Sequence, residues 1–433
     1  MSLEHALDRT LRLIKEELND GVTDAIILEM LGDTNVVIAS NAPNAASHSA
    51  QTAIVTTAML LARCGLNVWL DVPDVNLYEP QPPLTSSKLA SGLAEFGEAL
   101  TPIFNLRRGR PKRCHVAIII GNSAYQKYDA ELELRLNCTA WSGRVGSPVE
   151  PWHATLWPFG ALTASAIAAG EAFKCAMRRL RPYARSMDTF DLQFHCADRY
   201  CVSIAPEETP LPTSLGAIDI VSAGAVSNAA LFSLLRIPKV NGFIRIIEPQ
   251  SYDLTNHNRC MLMSIDSCGK QKANDLLNYA RPGLKLVSVT STFQDAVANG
   301  SLGTLAPYVL VGVDDIPTRW EAQAQAPSWL GVGATTHWCA MSSCHFLGNA
   351  CARCLHPYDG GDGAQVAPTI SFVSFWAGLW TAAYFIQALV GSSTVAEQAF
   401  IAPTALDSAH GIWTTQVAFH PSCPIHGTST PPA

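Results

Sequence analysis

The sequence predicts an α/β protein with two tandem units, each built from a mostly parallel sheet with flanking helices. Short apolar segments alternate with longer helical segments along the 433-residue chain, and this alternation is typical of parallel sheets. The alternation starts again after a proline-rich stretch at residues 205–214. Hydrophobic residues make up 48% of the chain and charged residues only 15%, which favours extensive buried sheet over disorder.

The first unit, residues 1–205, has the segment order of a Rossmann-like domain. The turn after its first strand, residues 41–46, contains no glycine, so its backbone cannot approach a phosphate as a glycine-rich turn does. We therefore expect a structural or partner-binding role for this unit. The predicted strands are residues 35–40, 67–72, 115–120 and 131–141, and the predicted helices are residues 47–64 and 161–180.

A linker at residues 206–214 leads to a second Rossmann-like unit, residues 215–433. Residues 370–390 of this unit contain no charged residue and are about as long as a bilayer-spanning helix. Polar residues interrupt them and no cluster of lysine or arginine flanks them, so we expect a buried helix and no membrane contact. The other predicted strands are residues 217–221, 242–247, 284–289 and 308–313, and the other predicted helices are residues 225–236 and 266–280.

Charge and cysteine content narrow the functional classes. The net charge is -7 and no basic stripe is present, which argues against nucleic acid as a partner. The first 20 residues are amphipathic and lack the apolar core of a secretion signal, so we expect a cytoplasmic protein. Thirteen cysteines in such a chain indicate free thiols or metal ligands and not a disulfide framework.

A candidate nucleotide-binding turn joins the first strand of the second unit to its helix. Gly224 stands between Ser222 and Ser227, which occupy the other two places of a degenerate glycine pattern. Such a turn can place a phosphate at a helix N-terminus, although a plain tight turn has the same pattern. Glu248 ends the next strand, where a carboxylate can accept hydrogen bonds from a ribose or lie in solvent.

Three polar residues follow in an order that resembles the ThiF/MoeB/HesA family, which includes the enzymes that activate ubiquitin. Asn256 and Arg259 belong to residues 253–259, and Lys272 belongs to a Gly-x-x-Lys phrase within residues 266–273. Family members bind the phosphates of ATP with similar residues. The resemblance therefore implies that these side chains bind ATP, as cations near a triphosphate should; the alternative is that they are solvated surface charges.

Asp314 directly follows a buried strand, where a carboxylate can hold Mg²⁺ against phosphates. The family has Asp-Asn at this place, so the resemblance implies that Asp314 is the magnesium ligand. Asp315 replaces the asparagine, and its role stays open. The alternative role for Asp314 is to cap the next helix.

Two pairs of metal-ligating residues lie near the C-terminus. Cys351 and Cys354 form one pair, and Cys423 and His426 form the other, about 70 residues later. Three thiolates and one imidazole suit a closed tetrahedral zinc site. Family members similarly staple their C-terminal strand with two Cys-x-x-Cys pairs, and His426 stands where a cysteine is usual. The sequence therefore predicts a zinc-stapled C-terminus.

The first residues of the chain offer a further candidate. Residues 8–13 resemble the opening of eukaryotic activating enzymes, in which an arginine reaches from one adenylation domain to the ATP of the other. This resemblance makes Arg9 the first candidate for that role and Arg12 the second. An ordinary amphipathic surface helix is equally compatible with the segment.

No cysteine occupies the crossover loop, residues 358–367, where smaller family members carry the thioester cysteine. Ala364 lies about where that cysteine is expected. Cys339 and Cys344 are nearby, but both lie in alternating apolar stretches, which favours buried thiols.

The resemblance covers about residues 215–427 and implies an active adenylation domain behind an inactive adenylation-like one. It implies ATP-dependent adenylation of the C-terminal carboxylate of a ubiquitin-like protein, with Mg²⁺ and Zn²⁺. A conjugating enzyme would then receive the protein as a thioester, in a bacterial conjugation system linked to phage defence. A homodimer is compatible with the family. The alternatives are activation of a sulfur-carrier protein for thiamine or molybdopterin synthesis and a non-catalytic scaffold.

Overall fold

The computed structural model describes most of the chain. The described residues are 2–100, 105–122, 128–146, 149–197, 199–358, 368–392, 396–405 and 411–425. Two sheets account for the strands in these ranges, one on each side of residues 204–216.

The first sheet contains seven strands among the described residues. They are β1 (Asn35–Ala39), β2 (Asn67–Asp71), β3 (Asn105–Arg108), β4 (Val116–Ile120), β5 (Leu132–Cys138), β6 (Ser142–Val145) and β7 (Tyr200–Ser203). Their order is β3-β2-β1-β4-β5-β6-β7. The block from β3 to β5 is parallel, and β6 and β7 are antiparallel additions.

The second sheet repeats this plan with eight strands among the described residues. They are β8 (Ala217–Val221), β9 (Gly242–Ile247), β10 (Leu284–Val289), β11 (Tyr308–Val311), β12 (Trp329–Thr336), β13 (Cys339–Phe346), β14 (Gln398–Ile401) and β15 (Ile412–Thr415). The order β10-β9-β8-β11-β12 is parallel, and β13 to β15 are antiparallel. The predicted α/β class with two mostly parallel sheets is confirmed.

This strand order creates a crevice in each sheet. The chain changes direction beside the first strand of each unit, between β1 and β4 and between β8 and β11. Ligands of open α/β sheets bind outside the carboxyl ends of the strands at such a switch point. The topology therefore marks the carboxyl ends of β8 and β11 as the place for a site in the second unit.

Helices cover the sheets. Those of the first unit are α1 (Leu3–Ala6), α2 (Asp8–Lys15), α3 (Asp24–Gly32), α4 (Ala42–Ala45), α5 (His48–Arg63), α6 (Leu89–Glu98), α7 (Phe159–Arg178) and α8 (Met187–Gln193). Those of the second unit are α9 (Ala225–Leu234), α10 (Lys272–Leu276), α11 (Phe293–Ala298), α12 (Ile316–Ala324), α13 (Ala352–Leu355) and α14 (Ser371–Leu389).

One predicted helix, residues 266–280, is wrong as a continuous element. The structure has a 3₁₀ turn at Ile265–Ser267, then α10, then a second 3₁₀ turn at Leu277–Tyr279. Gly269 has φ +81, a left-handed conformation that an α-helix cannot contain. The α-helix therefore begins only at Lys272.

The apolar helix α14 lies inside the protein. It is the one helix among the described residues that is long and apolar enough to cross a membrane, and 89% of its apolar window is buried. Gly378 lets it approach α9 closely, because an added Cβ there would lie 2.4 Å from the Val226 carbonyl oxygen. The apolar composition of α14 therefore reflects its close packing against other helices inside the protein.

The two units pack against each other through shared hydrophobic residues and polar contacts. One core cluster contains residues of both units. Phe173 of α7 lies with its ring centroid 5.5 Å from that of Phe372 at the start of α14. The hydroxyl of Ser371 donates to the Leu60 carbonyl of α5 at 2.9 Å. The two units therefore share a packed interface at the start of α14.

Candidate functional site

A cavity of about 450 Å³ opens at the carboxyl ends of β8, β9 and β11. This volume is in the range of small-molecule sites. Most of the polar residues singled out in the sequence lie on its wall. These wall residues are Arg9, Ser222, Gly224, Glu248, Asn256, Arg259, Lys272 and Asp314.

Ser227 is the one predicted ATP-contacting residue that does not lie on this wall. It lies in the first turn of α9 and is 4% exposed. A Cβ added to Gly312 would lie 2.4 Å from its hydroxyl oxygen. Ser227 therefore packs α9 against the end of β11.

The turn after β8 is closed by Ser222, which has φ +84. This left-handed region favours glycine. The Ser222 hydroxyl accepts a hydrogen bond from the Gly224 amide at 3.0 Å and donates to the Gly312 carbonyl at 3.2 Å. Two side-chain hydrogen bonds thus stabilise a turn that a glycine would otherwise form.

Glu248, at the end of β9, supports the same turn. Its Oε2 accepts from the Ala223 amide at 2.9 Å, and its Oε1 accepts from the Gln250 amide at 2.9 Å. Each carboxylate oxygen can accept more than one hydrogen bond. The side chain can therefore hold the backbone and still accept a hydrogen bond from a hydroxyl in the cavity.

Two cations face the cavity, Arg259, which is half-buried, and Lys272, which is buried. Arg259 donates from Nη1 to the Thr255 carbonyl at 2.5 Å, and Lys272 donates from Nζ to Gln250 Oε1 at 2.9 Å. Neither forms an ion pair within the described ranges. Burial lowers the pKa of Arg259, and the charge of Arg9 acts in the same direction. Buried cations require compensation, so this wall is suited to an anion.

Asn256 lies on the cavity wall and also stabilises the backbone before Arg259. Its Oδ1 accepts from the Asp253 amide at 3.0 Å, and the Asp253 side chain accepts from the Thr255 amide at 2.8 Å. This reciprocal cap fixes the short 3₁₀ turn Leu254–Asn256 that precedes Arg259.

The two neighbouring carboxylates after β11 have different environments. Asp315 is the N-cap of α12 and accepts from the Thr318 amide at 2.8 Å. Asp314 is exposed and lies on the cavity wall. Asp315, and not Asp314, therefore caps the helix. The carboxylate of Asp314 is available to a cation.

Arg319 fixes the backbone just before Asp314. Its Nε and Nη2 donate to the Val313 carbonyl at 3.1 Å and 2.8 Å, and its Nη1 donates to His356 Nε2 at 3.1 Å. The guanidinium is almost fully buried. It therefore joins the end of β11 to the segment after α13.

Helix α2 brings one of its two candidate arginines to the site. Arg9 lies on the cavity wall. Arg12 points away from it, since its side chain is 66% exposed and its Nε lies 3.0 Å from Asp8 Oδ1. The first unit thus contributes a cation to a cavity that the second unit builds.

Three cysteines form a separate cluster. The Sγ atoms of Cys351 and Cys354 are 3.8 Å apart, those of Cys351 and Cys423 are 3.6 Å apart, and all three lie within 4.8 Å of one another. Thiolates at ~2.3 Å from a tetrahedral zinc are ~3.8 Å apart. These three residues therefore fit a zinc ion. His426 lies outside the described residues.

The other cysteines considered for thioester chemistry are poor nucleophiles. Burial raises the pKa of Cys344 to about 12, and Cys339 is half-buried on β13 with a pKa raised by the same cause. A thiol of high pKa is seldom a thiolate at neutral pH. Ala364 and residues 359–367 of the crossover loop lie outside the described residues.

The matching crevice of the first sheet contains protein side chains. Asn44 Nδ2 donates to the Ile120 carbonyl at 3.1 Å, and a Cβ added to Gly121 would lie 2.6 Å from the Trp152 amide nitrogen. Asp71, which ends β2 as Glu248 ends β9, pairs with Arg110 at 2.8 Å. The polar groups described here bind to one another.

Three functional candidates were not identified from the sequence. Gln250 holds Lys272, Arg319 holds the turn before Asp314, and Asn258 bonds Arg259. Asn258 and Arg319 lie inside the phrases that carry the family resemblance, which was the signal that could have identified them. Gln250 lies in a loop with no distinguishing pattern.

Comparisons with known proteins find a family model and a curated relative to which this chain is similar. The family model of the BilD N-terminal domain matches residues 35–192. The uncharacterized protein y4jF of Sinorhizobium fredii (strain NBRC 101917 / NGR234) is 24% identical over 289 residues, or 64% of this chain and 53% of that protein. The chain thus spans about half the length of this curated relative.

Solved structures of E. coli MccB resemble part of the fold. The structure with ATP is 16% identical and covers 67% of this chain and 97% of that chain, with a TM-score of 0.40. The structure with succinimide is 15% identical and covers 68% and 98%, with a TM-score of 0.41. Similarity at this level does not assign an activity to the chain.

Proposed function

We propose that the chain uses ATP to adenylate the C-terminal carboxylate of a peptide or protein partner, and that this partner is a ubiquitin-like protein. The observation that carries the proposal is the wall on which Arg259, half-buried, and Lys272, buried, face the same cavity as Asp314, and neither cation forms an ion pair among the described residues. Two cations and one exposed carboxylate at a switch point suit a triphosphate with a divalent cation.

In this reaction, an oxygen of the partner's carboxylate attacks the α-phosphorus of ATP. The bond between the α-phosphorus and the bridging oxygen breaks, and pyrophosphate leaves with that oxygen. Arg259, Lys272 and Asn256 bind the phosphates, which lie at the N-terminus of α9 after the turn at Ser222 and Gly224. These groups position the reactants and neutralise charge, which is what phosphoryl chemistry requires of a protein.

The remaining groups have supporting roles in the proposal. Glu248 accepts from the ribose, and Arg9 adds positive charge from the first unit. Asp314 holds Mg²⁺, which would neutralise charge on the departing pyrophosphate. Cys351, Cys354, Cys423 and His426 hold a structural zinc ion, because four protein ligands leave no open position.

The ubiquitin-like partner rests on the resemblance of residues 253–259 and 266–273 to the ThiF/MoeB/HesA family. The same resemblance supports thioester transfer to a conjugating enzyme, in a cytoplasmic conjugation system for phage defence. Activation of a sulfur-carrier protein uses the same first chemical step, so the choice between these partners is a matter of experiment.

Exchange of labelled pyrophosphate into ATP tests the proposal. We expect exchange with the purified chain, Mg²⁺ and at least one candidate ubiquitin-like protein. A partner whose C-terminal carboxylate is converted to an amide is the matched control and should give none. Exchange with a sulfur-carrier protein alone would support the alternative partner. No exchange with any partner, together with no ATP binding by calorimetry, would leave a scaffold role.

A further inference from the structure

Asn258 joins three segments at the edge of the cavity. Its side chain is fully buried. Its Nδ2 donates to Thr10 Oγ1 of α2 at 2.9 Å and to the Thr369 carbonyl before α14 at 3.2 Å. Its Oδ1 accepts from Arg259 Nη1 at 2.8 Å. One amide thus bonds the first unit, the start of α14 and the cavity arginine.

The first unit also fixes the backbone around Arg259. Arg63, at the end of α5, is fully buried. Its Nη1 donates to the His257 carbonyl at 2.5 Å, and its Nη2 donates to the Met261 and Met263 carbonyls at 3.3 Å and 2.6 Å. The loop that carries Arg259 is therefore held from the first unit at both ends.

This arrangement addresses a physical difficulty at the site. Arg9 and Arg259 are like charges that lie close enough to affect each other, so each repels the other when no anion is bound. Long cationic side chains also lose rotamer entropy when they are ordered. A fixed amide between the residue after Arg9 and the guanidinium of Arg259 holds that guanidinium in place against the repulsion and orders it before ATP arrives.

We propose that Asn258 is a positioning residue that couples the Arg9 helix α2 to Arg259, so that both guanidinium groups meet one triphosphate. The coupling runs through the Thr10 hydroxyl, which is the acceptor of the Asn258 amide. The kinetic part of this proposal rests on the proposed adenylation. The structural part, that Thr10 and Asn258 order the loop at residues 254–263, is independent of it.

Thr10→Val removes the acceptor and keeps the shape of the side chain. We expect a roughly tenfold fall in kcat for pyrophosphate exchange, with a smaller change in KM for ATP, because a buried amide donor loses its partner. Thr10→Ser keeps a hydroxyl and should restore most of the rate. Thr57→Val is the matched control, because Thr57 is equally buried and its hydroxyl has no partner in the structure.

A double-mutant cycle separates coupling from a general loss of packing. In an Arg9→Ala background, Thr10→Val should slow exchange by less than about twofold, since the cation that it positions is gone. Equal effects of Thr10→Val with and without Arg9 would overturn the coupling.

Hydrogen exchange on the free protein provides a readout that needs no activity. Thr10→Val should raise amide exchange in residues 254–263 above the Thr57→Val control, and Thr10→Ser should not. Unchanged exchange there would overturn the proposal even if catalysis fell. If Thr10→Val raises amide hydrogen exchange but the parent chain shows no pyrophosphate exchange with any partner, the adenylation is refuted. Thr10 and Asn258 then have a structural role only.

Discussion

Some residues at the cavity form hydrogen bonds that fix the backbone, and others have hydrogen-bonding groups left for a ligand. Glu248 and Ser222 form hydrogen bonds with the backbone of the turn after β8. Lys272 instead donates one hydrogen bond, to the side chain of Gln250. An ammonium group has three donors, so Lys272 retains two for an anion. The same division separates Asp315, which caps α12, from Asp314.

Substitution of Asp314 tests this division at the scale of one side chain. Asp314→Asn should lower pyrophosphate exchange at least ~100-fold, the scale seen when one charge-stabilising group is removed. The melting temperature should hardly change, because Asp314 is exposed. Both quantities are measured on the same preparation by exchange assay and calorimetry.

Asp315→Asn is the matched control for that variant. Asparagine is as good an N-cap as aspartate, so α12 should be retained while an equal charge is lost one residue away. Full activity of Asp314→Asn, or equal loss in both variants, would remove Asp314 from the proposed magnesium site.

At the scale of elements, α2 offers an internal comparison of two arginines. Arg9→Ala should slow exchange at least about tenfold, because one cation near the triphosphate is lost. Arg12→Ala should have almost no effect on the rate. Arg12 is exposed and pairs with Asp8 at i,i+4, so its loss should also cost little stability. Steady-state exchange with each variant measures the difference, and equal rates would contradict the assignment of Arg9.

Helices α12 and α13 connect the cysteine cluster to the cavity. Trp320 Nε1 donates to the His356 carbonyl at 2.8 Å, and the Ala352 amide donates to Gln323 Oε1 at 3.2 Å. Arg319 completes the connection by bonding both His356 and the Val313 carbonyl. An ion that orders Cys351 and Cys354 would therefore also steady the end of β11.

Metal analysis tests the cluster. We expect one zinc per chain, and Cys423→Ser should abolish zinc binding and lower the melting temperature, because a structural zinc contributes directly to folding. Cys201→Ser is the control, since Cys201 is exposed and lies in the first unit. His426→Ala should weaken zinc binding if the imidazole is the fourth ligand. A chain that is purified without chelators and contains no zinc would refute the site.

Elements with a simple apolar pattern were predicted correctly from the sequence, whereas elements that depend on backbone conformation or distant contacts were not. Apolar strands such as β8, β9 and β10 have the predicted bounds, because a buried parallel strand is a short apolar run between polar turns. The predicted helix at residues 266–280 failed because Gly269 is left-handed and composition gave no sign of it. The contacts of Asn258 and Arg63 join residues far apart in the chain, and no local pattern encodes such contacts.

The molecule contains two sheets of similar topology, and their switch points differ in what they contain. The switch point of the second sheet opens into the cavity, whereas Asn44 and Trp152 lie at that of the first. The first unit instead supplies Arg9, Arg63 and Thr10 to the second. The same topology thus supports the site in the first unit and forms the site in the second.

The packing between the units makes His48 one contributor to the pH dependence of stability. His48 of α5 bonds the carbonyl of Arg236, two residues after the end of α9, at 2.7 Å. Burial lowers the pKa of His48 from 6.5 to about 4, and the charges of Arg236 and Arg281 act in the same direction. The unfolded chain therefore binds a proton more readily than the folded protein between these values, and stability is lost as pH falls through this window.

His48→Gln should remove this dependence, because an amide can still donate to the Arg236 carbonyl but cannot be protonated. The variant and the parent should have similar free energies of unfolding at about pH 7, and the variant should be more stable by about 2 kcal/mol at about pH 5. Urea unfolding at both pH values measures the difference. His153→Gln, at an exposed position, controls for the loss of an imidazole and should follow the parent. An equal loss of unfolding free energy between the two pH values in the parent and in His48→Gln would show that the contact between His48 and the Arg236 carbonyl does not contribute to the pH dependence.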